Sequence, residues 1–345
     1  MTVHFPPECL LQRPDSDEFS TEFLRLLGAA QEGGSMVSEC FLAASRIDPN
    51  DRANSWYREW IRIADLSNER GNTAFERGHL LTAQSNWLRA INYYQASTFA
   101  LDANDEKRQD ALRTMRAGAR RYIAHLTPAG EVVEIPWLEG HALEGYFLPA
   151  PTASGRTPVT VCMGDPGHRK EEYLFKVARY ARERGMSLLA VDLLGSGVGA
   201  EFDEVVGRPD LETSVGHVMD YLTTRDDVDE QRIAILGDGA GSSFVARGVA
   251  LDNRFAAVVC DGGLWDMHEH AFLEPPLAGR RRKQGNCRRL ARAEIPLPGP
   301  DHRGRAGLAE KRRRYRSVRT AQGPSSRYFT EDFRKLGNGR CSRPL

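Results

Sequence analysis

Residues 232–263 read RIAILGDGAGSSFVARGVALDNRFAAVVCDGG, and this stretch decides the fold. An apolar strand turns through Gly237, Gly239 and Gly241 into a helix, and a second apolar strand follows. Side chains at the outer two positions would clash in a tight strand-to-helix turn, so these glycines predict a sharp elbow. The middle residue of such an elbow is normally a nucleophilic serine, and here it is Gly239.

The alternation of strand and helix extends over residues 128–272, the predicted core domain. A hairpin is predicted at Gly130–Pro151, around a turn at Glu139–Gly140. The apolar segments TPVTVCMGD and MSLLAVDL are predicted strands, and EEYLFKVARYARERG and LETSVGHVMDYLTTRDDVDE are predicted helices. Continuous apolar strands separated by helices predict an α/β fold with a parallel sheet covered by helices on both faces.

Residues 16–127 are predicted to form an all-α domain that follows an N-terminal arm at residues 1–15. Aromatic and aliphatic residues recur there at helical spacing in two groups: Trp56, Trp60 and Ile63, then Trp87, Ile91 and Tyr94. Gly78 and His79 separate two predicted helices. Core packing is the expected role of this stripe, and the lining of a ligand cleft is the alternative.

The overall composition excludes several classes of protein. Six cysteines lack the CxxC or CxxH spacing of a zinc site or a disulfide framework, so reduced thiols are expected. The N-terminus has no secretory pattern and no run of about 18 apolar residues occurs, which predicts a cytoplasmic protein without a membrane partner. No cofactor or metal is expected, because His268 and His270 lack a third ligand at a recognisable spacing. A homodimer is left open.

Residues 273–345 form a basic, irregular tail. The formal charge of the whole chain is zero, but residues 279–345 carry about 20 Lys and Arg against about 5 Asp and Glu. Such a tail could neutralise nucleic-acid phosphates, although it lacks the aromatic interleaving of a specific binder. We interpret it instead as a segment shifted out of the ancestral reading frame. On that interpretation the C-terminal part of the sheet is incomplete.

A family resemblance follows from five segments of the chain. They are WYREWIRIAD, ERGHLLTAQSNWLRAINYYQAS, CMGDPGHRKEEY, the elbow with its following helix and strand, and WDMHE. Together they resemble the α/β-hydrolases typified by dihydroxypseudooxynicotine hydrolase, over roughly residues 50–270. The resemblance implies an α/β-hydrolase core, an N-terminal helical cap over the active-site mouth, and esterase or carbon–carbon hydrolase chemistry.

The resemblance also maps a site onto this chain. It places the nucleophile at Gly239 and an oxyanion donor at Ala240. It places the second donor in the loop Gly164–His168, where Asp165 and Gly167 are the candidates because Pro166 has no N–H. Asp301 is the nearest candidate for the acid of a triad. No histidine follows His302, so nucleophile and base are both expected to be lost.

Other residues near the elbow could replace the serine. Asp238 is a carboxylate one position before the usual nucleophile, which turns its side chain away from the cleft. Ser242 and Ser243 are expected to cap the following helix. Cys260 is expected to be a small core residue. His168 lies at the carboxyl end of a strand, where open α/β sheets bind ligands, and a surface loop histidine is the alternative.

The sequence thus predicts an α/β-hydrolase-fold protein that lacks the serine mechanism and binds a small molecule between cap and core. One alternative is an active hydrolase or acyltransferase that acts on a small ketone or ester with a displaced nucleophile. Another is a non-catalytic interaction protein that uses its basic tail. A last one is a decayed gene product whose incomplete sheet folds poorly.

Overall fold

The computed structural model describes residues 18–102, 104–151, 155–164, 168–193, 205 and 208–262 of the chain. All of these residues belong to one compact unit. The predicted N-terminal arm and the basic tail lie outside the described residues, as do the WDMHE segment and both candidate metal-ligand histidines.

The predicted N-terminal cap is all-α in its described residues. Its helices are α1 (Glu18–Gly28), α2 (Val37–Ala44), α3 (Arg52–Glu76), α4 (Leu80–Ser97) and α5 (Glu106–Ala124), with a 3₁₀ helix at Ala29–Glu32. The Asp105 carboxylate caps α5 by accepting a 2.8 Å hydrogen bond from the Lys107 N–H. All six aromatic and aliphatic residues of the predicted stripe are buried, which confirms core packing.

A six-stranded mixed sheet follows the cap in the described chain. Its strands are β1 (Glu131–Leu138), β2 (His141–Leu148), β3 (Thr157–Met163), β4 (Ser187–Asp192), β5 (Val228–Asp238) and β6 (Ala257–Asp261). They lie in the order β1-β2-β4-β3-β5-β6. The pair β1/β2 is the predicted antiparallel hairpin, β2 runs antiparallel to β4, and β3 to β6 form the predicted parallel part.

Helices cover both faces of this sheet, as predicted. They are α6 (Tyr173–Lys176), α7 (Ala178–Glu183), α8 (Thr213–Thr223) and α9 (Gly241–Leu251). Alternate residues of β4 belong to different clusters: Leu188 and Ala190 pack with α6, α7 and the cap, whereas Leu189 and Val191 pack with α8 and α9. The cap is therefore continuous with the apolar core on one face of the sheet.

Two predicted helices are shorter in the structure than their patterns indicated. The helix expected in EEYLFKVARYARERG is interrupted at Val177, whose φ of −125° leaves the helical region, and is preceded by a 3₁₀ turn at Lys170–Glu172. The second helix ends at Thr223, and Val228 already pairs with Thr157 in the sheet. In the second place pairing within the sheet overrides local periodicity.

No helix in the described part of the chain is both long enough and apolar enough to cross a membrane.

Candidate functional site

The predicted elbow is present between β5 and α9. Gly239 has a φ of +60°, in the left-handed region, and its N–H donates to the Asp261 carbonyl at 2.9 Å. A Cβ at Gly237 would lie 2.8 Å from Ser242 Cα, closer than such atoms approach in proteins. The backbone thus turns as sharply as a nucleophile elbow requires, with no side chain at its apex.

Both serines after the elbow are engaged, but not as helix caps. The Ser242 hydroxyl lies 2.9 Å from the Gly237 carbonyl and 2.7 Å from the Asp261 carbonyl, and Ser242 is 2% exposed. The Ser243 hydroxyl donates to the Ala240 carbonyl at 2.9 Å. The capping prediction was wrong, because both hydroxyls are hydrogen-bonded to backbone carbonyls and not to N–H groups of α9.

Asp238 carries a carboxylate that is already paired. Its Oδ2 accepts a 2.8 Å hydrogen bond from Lys176 Nζ and lies 3.6 Å from His168 Nε2. The side chain of Asp238 is 16% exposed, that of His168 23% and that of Lys176 36%, so solvent reaches the group. Asp238, His168 and Lys176 form what we call the elbow cluster, at the carboxyl end of β5.

A polar chain connects the elbow cluster to the cap. Lys176 Nζ lies 3.7 Å from Glu172 Oε2, and Glu172 Oε1 accepts a 2.6 Å hydrogen bond from Gln95 on α4. Burial lowers the pKa of Lys176, but the carboxylates of Glu172 and Asp238 outweigh burial and hold that pKa above its ordinary value. The ammonium is therefore a fixed positive charge beside the elbow.

His168 is held close to the end of β3. A Cβ at Gly164 would lie 2.2 Å from His168 Cβ and 2.8 Å from the Tyr173 hydroxyl, so the chain requires glycine there. The structure brings His168 to Asp238, a pairing that the sequence did not predict. Asp165, Gly167 and Asp301 lie outside the described residues, and Ala240 directly precedes α9.

The cysteines of the core offer no activated thiol near the elbow in the described residues. Cys162 is fully buried, and burial raises the pKa of its thiol well above the ordinary value. Cys260 is only half-buried, which is less than a core role predicts, and burial raises its pKa as well. Among the described side chains, no group of three His, Cys, Asp or Glu is arranged to hold a metal ion.

A second set of charged side chains is almost completely buried. We call it the buried charge cluster, and it consists of Glu144, Lys170, Glu171 and Asp192. Lys170 Nζ lies 3.0 Å from Glu144 Oε1, 3.0 Å from Asp192 Oδ2 and 3.7 Å from Glu171 Oε1. All four residues are at most 3% exposed.

Neighbouring side chains complete the buried charge cluster. Arg120 on α5 donates to Glu144 Oε2 at 2.7 Å, and the Tyr146 hydroxyl donates to Glu171 Oε1 at 2.7 Å. Although burial opposes ionisation, Lys170 holds the pKa of Glu171 below its usual range. The cluster fixes the segment after β3 to β2, β4 and the cap.

Sequence reasoning missed Lys176, Glu172 and the whole buried charge cluster. One signal was available: Glu172 and Lys176 stand at i, i+4, the spacing of an ion pair on one face of a helix. The long-range partners of that run, such as Asp192 and Glu144, follow no local period and carry no sequence signature.

Comparisons with known proteins agree on one family. The esterase FrsA-like family matches residues 50–272. Hydrolyase poxO of Penicillium oxalicum is 31% identical over 73% of this chain and 62% of its own length. Hydrolase LUC6 of a Fusarium species is 34% identical over 71% of this chain and 61% of its own length. The chain thus spans somewhat less than two thirds of these relatives.

A solved structure supports the same fold. The 2,6-dihydroxy-pseudo-oxynicotine hydrolase superposes with a TM-score of 0.59 at 23% identity, over 73% of this chain and 68% of that one. That likeness, with the mixed sheet, the helices on both faces and the N-terminal helical region, shows an α/β-hydrolase fold. The chain belongs to the esterase FrsA-like family.

Proposed function

We propose that this chain is a hydrolase-family protein that has lost the covalent serine mechanism and binds a small carbonyl compound between cap and core. The observation that carries the proposal is the elbow itself, which has glycine at its apex. The names of the relatives, among them a 20-hydroxy-prefusarin hydrolase of Gibberella moniliformis, support descent from hydrolases of small molecules.

The neighbours of the elbow support the loss of covalent chemistry. The hydroxyls of Ser242 and Ser243 are committed to backbone carbonyls, and each belongs to a residue of the helix, not of the turn. The Asp238 carboxylate is held by Lys176, and a positive charge in contact with a carboxylate reduces its nucleophilicity. A displaced-nucleophile hydrolase would need one of these three groups to be released.

The elbow cluster supports the binding of a small molecule. His168 and Lys176 place hydrogen-bond donors at the carboxyl edge of the parallel strands, where open α/β sheets receive ligands. The Ala240 amide lies at the start of α9, in the position from which the family stabilises an oxyanion. An ester or ketone oxygen is the ligand atom that suits such donors.

Ester hydrolysis tests this proposal. We would measure the release of nitrophenol from 4-nitrophenyl acetate by the unaltered chain and by Asp238→Asn and Gly239→Ser variants. Removal of a serine nucleophile costs on the order of 10⁶ in kcat, so all three proteins should show no burst and at most the slow residual rate that oxyanion donors and binding alone support. Gly239→Ser is included because serine alone, without an acid and a base, restores little.

Two outcomes of this assay would overturn the proposal. Burst release or turnover by the unaltered chain that disappears in Asp238→Asn would identify a carboxylate nucleophile and overturn the proposal. Burst release that survives in Asp238→Asn would place a nucleophile elsewhere and overturn it as well.

A further inference from the structure

The elbow cluster lies on the face of the sheet that the cap covers. Side chains of a strand alternate between the two faces of its sheet. In β5, Leu236 packs with the apolar cluster that includes the cap, whereas Ile235 packs with the cluster on the other face. Asp238 follows Leu236 by two residues and shares its face, as its hydrogen bond from Lys176 on α6 also shows. The elbow cluster therefore lies on the side where the proposed ligand would bind.

His168 supplies an imidazole beside the elbow. Its Nε2 lies 3.6 Å from Oδ2 of Asp238, the residue directly before the glycine apex, and solvent reaches both side chains. Imidazole changes its protonation state near neutral pH and is the commonest general base in enzymes. A carboxylate beside the ring stabilises the imidazolium that forms when the ring takes up a proton. The pair of His168 and Asp238 therefore has the composition of a general base.

Two hydrogen-bond donors for a carbonyl oxygen lie in or beside the elbow cluster. The Lys176 ammonium has three protons, and it donates one of them to Asp238 while Glu172 Oε2 lies 3.7 Å away. The Lys176 side chain is 36% exposed, so a ligand can reach the ammonium. The Ala240 N–H, at the start of α9, donates to no group of the described chain. An ammonium and a backbone N–H stabilise the negative charge that develops on an enolate oxygen.

We propose that the elbow cluster catalyses proton exchange at the carbon next to a ketone, with His168 as the general base. The ketone is the carbonyl compound that binds beneath the cap, so this activity rests on the proposed function. The α-carbon C–H bond breaks, an N–H bond forms on the imidazole, and the released electron pair moves onto the carbonyl oxygen. Lys176 and the Ala240 N–H stabilise the enolate oxygen. The imidazolium then returns a proton to carbon, so that the ketone is regenerated and no other reactant is consumed.

Glycine at the apex suits this reaction. Proton transfer from carbon needs a base and a stabilised oxyanion but no covalent bond to the protein. Gly239 carries no hydroxyl that would attack the carbonyl carbon or take the base as its partner. The base comes from the neighbouring strand instead, since His168 follows β3 and β3 pairs with β5. The carbonyl compound can thus exchange protons without being cleaved.

Proton NMR in D₂O tests the proposal on the full chain, with 4-phenyl-2-butanone as the ketone. Exchange removes the signals of the CH₃ and CH₂ groups beside the carbonyl, because the imidazolium exchanges its proton with solvent before it returns one. The unaltered chain should accelerate this loss about 10²–10⁴-fold over buffer alone, the contribution typical of a general base. Saturation-transfer difference NMR on the same samples measures whether the ketone binds.

Three variants assign the roles of these side chains. His168→Gln should bring exchange close to the buffer rate and retain ketone binding, because it removes the base and leaves Lys176 and Ala240 in place. Lys176→Met should lower exchange about 10²-fold, the usual loss when one oxyanion donor is removed. His217→Gln is the matched control, since His217 is exposed on α8, which packs against the opposite face of the sheet. Its exchange rate should equal that of the unaltered chain.

The two measurements separate a failure of this activity from a failure of the proposed function. Ketone binding without faster exchange, or fast exchange that survives in His168→Gln, would overturn the activity and leave the proposed function standing. Absence of ketone binding by the unaltered chain would overturn both. If circular dichroism shows that His168→Gln does not fold, His168→Asn takes its place, and the comparison of the unaltered chain with buffer still decides the question.

Discussion

At the scale of single residues, Gly239 determines the backbone conformation and the chemistry available at the elbow. A residue with a Cβ that is held at a φ of +60° is strained, and in an active elbow the surrounding structure sustains that strain to expose the nucleophile. Glycine adopts this conformation without strain. Glycine at this position therefore leaves the turn without strain and without a side-chain oxygen.

Gly239→Ala should lower the free energy of unfolding by about 1 kcal/mol, because alanine pays the left-handed penalty. Urea denaturation measures the change. The matched control is Gly216→Ala, since Gly216 lies within α8 and has open space where a Cβ would be. That variant should gain about 0.5–1 kcal/mol. Equal stability of Gly239→Ala and the unaltered chain would contradict the strain argument.

At the scale of elements, the segment from His168 to Lys176 connects the parts of the site. Its 3₁₀ turn sends Lys170 and Glu171 into the interior, while Glu172 and Lys176 reach towards α4 and the end of β5. One short segment therefore contacts the interior, the cap and the elbow.

Lys170→Met should lower the free energy of unfolding by about 3–5 kcal/mol, because it leaves three buried carboxylates without their shared cation. Chemical denaturation checks the loss, and Lys107→Met on the exposed face of α5 is the control, expected within about 0.5 kcal/mol of the unaltered chain. A loss below about 1 kcal/mol for Lys170→Met would show that Arg120 and nearby arginines neutralise the cluster without it.

Much of the element structure follows from local patterns, and much of the site does not. The glycines of residues 232–263 predicted the elbow, the turn at Gly140 predicted the hairpin, and the spacing of Trp56 and Trp60 predicted buried helices. The pairing of Asp238 with Lys176 joins residues 62 positions apart. Such contacts depend on the parallel pairing of β3 with β5 in the sheet, which no local period encodes.

At the scale of the whole molecule, cap and core behave as one packing unit. The cluster that contains Trp60 and Tyr93 of the cap also contains Tyr146 and Leu188 of the sheet. Two polar connections, from Gln95 to Glu172 and from Arg120 to Glu144, cross the same boundary. Cap and sheet are therefore joined both by apolar packing and by polar contacts.

The proposed loss of the serine mechanism is tested most directly by covalent labelling of the full chain with a fluorophosphonate, followed by intact-mass spectrometry. Such a probe reacts with a serine only when a base activates the hydroxyl. We expect no adduct under conditions that label an active serine α/β-hydrolase completely. A stoichiometric adduct, whether on Ser242, Ser243 or any other serine, would contradict it.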